Sequence, residues 1–159
     1  MDLARLRELI IPAAVVKGAL AAFALTIVFE IVVGPGLSPF LDALDPLVAT
    51  GVVLMMVLVF RGVAGMFAAR VVRDRDVTHE RSGYLPSAAL AGILGCVLYE
   101  VVALAMGAAI GTDTWSARLL WEPLRWAAEL SVGALLIDPS GQRARQDIPM
   151  RYRATLDQQ

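Results

Sequence analysis

Four long apolar stretches constrain this chain more than any other feature. They cover residues 9–33, 46–69, 84–110 and 117–137. Each is long enough to cross a hydrocarbon core of about 30 Å at about 1.5 Å per helical residue. Only helices and closed barrels satisfy backbone hydrogen bonds in lipid, and runs of this length predict helices. The expected fold is therefore all-α, an integral membrane four-helix bundle spanning residues 1–137, with a polar cytoplasmic tail over 138–159.

Composition supports a membrane chain with no soluble domain. Of the 159 residues 58% are hydrophobic, with a mean hydropathy of +0.67, against about 45–50% apolar for soluble domains. A net charge of −1 implies no general attraction to nucleic acid. The first stretch is too long for a cleavable signal, and Lys17 interrupts it.

Arginine placement sets the expected orientation. Arg5, Arg7, Arg70, Arg73, Arg75, Arg81, Arg143, Arg145, Arg151 and Arg153 fall on one side of a four-span arrangement, and only Arg118 falls on the other, at a membrane edge. The positive-inside rule then places both termini and the second connector in the cytoplasm. Three or five spans would break this alternation. Gly34-Pro35-Gly36 and Pro39 are expected to stop the first span, while Asp45 is placed to cap a helix beginning at Pro46. Pro86 belongs in the first turn of the third span, and Pro123 can kink the fourth. Trp115 and Trp121 resemble an interfacial belt, whereas Trp126 lies deep enough to pack on a neighbouring helix.

Seven ionisable residues lie inside the apolar stretches: Lys17, Glu30, Arg61, Glu100, Glu122, Arg125 and Glu129. Charges in lipid are costly, so these should face one another, a partner helix or a wet cavity. Counting from the helix ends predicts two layers. Lys17, Arg61 and Glu129 form the cytoplasmic one, and Glu30, Glu100, Glu122 and Arg125 the outer one. Glu122 and Arg125 are spaced to pair along one helix, and Lys17 and Arg61 can extend toward headgroups. Glu100 has no cation within reach on its own helix, so Arg125 is its expected partner. Small residues recur at helical spacing as Ala14/Gly18/Ala22, Ala64/Ala68 beside Gly65, and Ala88/Gly92/Cys96. Such faces let helix backbones approach closely, which nominates Gly18, Gly65 and Gly92 as packing positions.

No nucleophile, metal or nucleotide motif appears. Cys96 and His79 are each the sole residue of their type, so neither a disulfide nor a metal centre is expected, and no cofactor is implied. Asp45-Pro46-Leu47 with Arg61-Gly62 resembles, over a short stretch, the rod-shape membrane scaffold family MreD. The chain lacks that family's Gly-Leu-x-x-Asp-like turn and additional spans, so the resemblance implies no assignment. The expected role is a non-enzymatic accessory or scaffold subunit in a bacterial inner membrane, partnered by the lipid bilayer and by other membrane subunits or copies of itself. The alternative is a small oligomeric transporter or channel with a carboxylate-lined path.

Overall fold

In the computed structural model the described residues are 10–75, 81–110 and 118–137, and all their regular structure is helical. His79, Trp115 and the tail over 138–159 lie outside them. Four helices result: α1 (Pro12–Leu41), α2 (Pro46–Arg75), α3 (Arg81–Ile110) and α4 (Arg118–Leu135). The first three are long and apolar enough to cross a membrane. The shorter α4 carries four ionisable residues and does not qualify on composition.

The first helix does not stop at its Gly-Pro-Gly segment as the sequence predicts. Pro12–Val28 is regular, Phe29–Val33 is a wider π-turn, and Gly34–Leu41 continues as α-helix. Within the turn, the Gly34 N–H donates to the Phe29 carbonyl five residues back. A proline in a regular helix drives its ring against the carbonyl four residues earlier, which for Pro35 belongs to Ile31. The extra residue in the wide turn displaces that carbonyl, so the chain stays helical through Pro35. Only residues 42–45 then separate α1 from α2. Asp45 Oδ1 accepts the Leu47 N–H at 2.9 Å, capping α2 as its position predicts. Likewise α3 starts at Arg81, which puts Pro86 in its second turn and not its first.

The helices form a ring in the order α1, α2, α4, α3. Gly18 meets Ala68 while Phe29 meets Phe60, so α1 and α2 are antiparallel. Ile11 meets Ser87, Gly18 meets Ala91 and Glu30 meets Tyr99, so α1 and α3 run in the same direction. The successive helices α2 and α3 touch mainly across the diagonal. The reason is that α4 fills the space between them: Trp126 and Ala127 abut Gly92 of α3, and Leu130 and Gly133 abut Gly65 and Gly62 of α2.

Packing is tight only toward the end that carries Arg70 and Arg73. There Ala14, Gly18, Ala19 and Ala22 mesh with Ala64, Gly65, Ala68 and Ala69, and with Ala88, Ala91, Gly92, Gly95 and Cys96. Tyr84, Val72, Leu130 and Ala134 close that end. Lipid offers no hydrophobic drive for helix association, so contact area between small-residue faces has to supply it. At the far end the helices separate. Over residues 46–60 of α2 no side chain is buried.

Candidate functional site: a charge cluster between α2 and α4

The sequence of α4 places three charges on one stripe. Glu122 and Arg125 are one turn apart, as are Arg125 and Glu129, which brings their side chains together. Arg125 Nη2 lies 3.0 Å from Glu122 Oε2, and Arg125 Nε lies 3.4 Å from Glu129 Oε1 without hydrogen-bond geometry. From α2, Arg61 reaches across and donates from Nη1 to Glu129 Oε2 at 2.7 Å. Four groups thus alternate in sign, Glu122–Arg125–Glu129–Arg61, and their formal charges cancel.

Aromatic rings form the walls of this cluster. The guanidinium of Arg61 lies 3.8 Å from the centroid of Trp126, close enough for cation–π attraction, and Arg125 sits 5.6 Å from the Trp121 ring. Trp126 is buried where α4 meets α3, with its backbone against Gly92 and its ring in contact range of Gly95. A Cβ at Gly92 would lie 2.6 Å from the Trp126 carbonyl oxygen, and one at Gly95 would lie 3.4 Å from its ring. Tyr99 packs on the other side of Trp126 at 5.8 Å between centroids. Arg61 and Glu122 are both nine-tenths or more buried.

The remaining face of α4 is apolar. Trp121, Leu124, Ala128, Val132 and Leu135 are exposed at helical spacing, and the charged stripe points inward. This pattern is inverted relative to a helix of a water-soluble bundle. Its polar stripe is hidden and its apolar stripe faces outward.

The two predicted charge layers therefore give way to a different grouping. Arg61 and Glu129 join Glu122 and Arg125 in one cluster, and Arg61 points into the bundle, not out toward headgroups. Glu100 is half-buried and forms no ion pair among the described residues. It does not meet Arg125, which lies on the side of α4 that faces α2, while α3 packs against the Trp126 and Ala127 side. Lys17 is exposed. The Gly18–Ala68 contact sets it level with Ala69, next to Arg70, so it belongs with the basic end of the molecule. Glu30, also exposed, accepts from the Tyr99 hydroxyl at 2.8 and 2.7 Å.

Gly18, Gly65 and Gly92 all lie at close helix contacts. Cβ atoms there would sit 2.7 Å from Ala68 Cβ, 2.7 Å from the Leu130 carbonyl carbon, and 2.7 Å from Ala127 N. Sequence reasoning missed the matching pair Gly62 and Gly133, whose backbones touch. It also missed Ser87, whose Oγ accepts the Ile11 N–H at 3.1 Å and ties the start of α1 to α3. Gly133 had a sequence signal, a lone glycine in an apolar helix, but Ser87 had none.

Among the described residues no three His, Cys, Asp or Glu side chains converge as a metal site requires. Comparison with known protein families, curated proteins and solved structures finds no match to this chain. Function therefore has to be argued from the geometry.

Proposed function

We propose that this chain is a non-enzymatic accessory or scaffold subunit of a larger complex in the bacterial cytoplasmic membrane, crossing it four times with both termini inside. The inward charges and outward apolar face of α4 support a fourth span. Its four ionisable residues would otherwise argue against insertion, but the three on the stripe at 122, 125 and 129 are turned away from lipid. The arginine distribution supports the orientation.

One observation carries the subunit reading. Packing is close at the basic end and loose over residues 46–60 of α2, where no side chain is buried and Leu47, Leu54, Met55 and Val59 are more than half exposed. A self-contained bundle would close along its whole length, whereas a subunit leaves part of its helix surface for neighbours. The charge cluster holds α4 in place and leaves that surface free. Purification from native membranes in mild detergent, with mass measured by light scattering, tests this. A fixed assembly containing other polypeptides is expected, and a dispersed monomer would refute the reading.

Glu100 favours a second reading, a transporter, because its carboxyl group is half-buried without an ion-pair partner among the described residues. If it carries protons or cations, Glu100→Gln protein should fold normally and lose flux in proteoliposomes.

A further inference from the structure

At Glu30 the groove between α1 and α3 changes character. Toward the basic end its walls are small and buried: Ala19, Ala22 and Thr26 on α1, and Ser87, Ala91 and Gly95 on α3. Beyond Tyr99 the same stripe of α3 surfaces, with Val102 37% and Met106 65% exposed. On α1 the π-turn begins one residue before Glu30. Within the turn Ile31 and Val32 are 68% and 64% exposed, and no residue over 30–41 is buried. Burial on both helices therefore ends where the carboxylate sits.

Among the described residues Tyr99 is the hydrogen-bond partner of Glu30. Its two oxygens both lean on the Tyr99 hydroxyl, which has a single proton to donate. A hydrocarbon core that begins where the basic residues gather has its edge at the level of Lys17 and Arg70. Glu30 lies 13 residues further along the helix, hence about 20 Å deeper. In a core of about 30 Å that leaves it roughly 10 Å inside the opposite surface. Lipid tails can cover Val102, Met106, Ile31 and Val32, but they cannot compensate a carboxylate at that depth.

We propose that this opening is a docking site for a transmembrane helix of another protein that presents a lysine or arginine to Glu30. The proposal rests on the subunit reading above and names the chemistry of the partner. Apolar residues of the incoming helix lie against Val102, Met106, Ile31 and Val32. Its cation takes the lone pairs that Tyr99 leaves unmet, and Tyr99 holds the carboxylate facing the groove. Among the described residues no cation meets Glu30, and Arg61 and Arg125 are committed to Glu122 and Glu129.

Purified full-length protein, labelled at Met55→Cys on the exposed side of α2, is reconstituted in phosphatidylcholine vesicles. Two labelled Leu/Ala transmembrane peptides are added, identical except for one Lys or Gln placed at the depth of Glu30. Energy transfer should saturate with the Lys peptide and be about tenfold weaker with the Gln peptide. Glu30→Gln should abolish the difference, and Glu30→Asp should retain it. Equal binding of both peptides to the unmutated protein would overturn the proposal, whatever the folding of the variants. So would a Lys preference that survives Glu30→Gln. Glu30-dependent transfer between two labelled copies of this chain, without peptide, would assign the groove to self-association and also overturn it. If a native complex is found but the peptides bind alike, the docking chemistry fails and the subunit reading stands. A Lys preference with no native complex has the opposite meaning.

Discussion

Arg61 is the residue through which two helices are joined electrostatically. Its guanidinium bonds Glu129 and lies over the Trp126 ring, and its Nε is buried without a hydrogen-bond partner among the described residues. Removing one member of a buried ion pair leaves the other uncompensated, at a cost of about 3–5 kcal/mol. Arg61→Met should therefore lower the denaturation midpoint in detergent sharply, and so should Glu129→Gln. The double variant should be milder than the sum of the two, because the second change removes the stranded charge. Strict additivity would mean that the 2.7 Å contact has no energetic weight. Thr26 is a simpler case. Its Oγ1 is buried and makes no hydrogen bond, so a hydroxyl is held out of water without return. Valine has the same shape, and Thr26→Val should stabilise the bundle by about 1 kcal/mol or more, read from thermal unfolding. An unfolding temperature that falls would show that the hydroxyl has a role the fold requires.

At the scale of elements, glycines decide which helices meet. Gly65 and Gly92 approach the backbone of α4, and backbone cannot move aside as a flexible side chain can. Gly51 has nothing within 4 Å of where a Cβ would stand. Gly65→Ala and Gly92→Ala should thus force α4 off its neighbours, lowering stability by at least 1–3 kcal/mol as overpacked sites do. Gly51→Ala should raise stability by about 0.4–1 kcal/mol, because alanine suits a helix better and has less freedom to lose on folding. Thermal unfolding of the three variants in one detergent checks both signs. A similar response at all three sites would contradict the packing.

At the scale of the molecule, orientation and openness matter most. Reporter fusions at Ser38 and Gln159 should give opposite signals, since a four-span chain puts the α1–α2 turn outside and the C-terminus inside. Equal signals would rule out four spans with an arginine-rich interior face. The bundle is not uniform along its length. Its basic end is closed by small residues and its far end is open, so buried contacts are concentrated in one half and exposed apolar surface in the other.

How much of this was legible beforehand differs by residue. The apolar runs around Pro12–Leu41, Pro46–Arg75 and Arg81–Ile110 were evident because helices in lipid must be long and apolar, a local property of the chain. The cap at Asp45 and the Glu122–Arg125 pair were evident for the same reason, being contacts of two or three residues. The passage of α1 through Pro35 was not, because it depends on a π-turn that relieves the ring clash before it arises. Depth counting placed Arg61 and Glu129 in one layer and Glu122 and Arg125 in another, but depth carries no information about direction around a helix axis. That direction is set by the packing of α4, whose backbone at Trp126 and Ala127 lies against Gly92 while Glu129 meets Arg61 of α2, leaving Glu100 on the other side. The sequence by itself determined that the chain is helical, apolar and basic at one end, since these follow from backbone satisfaction and residue type. Only the tertiary structure decided which charges meet, because that depends on how the small residues let four helices rotate against one another.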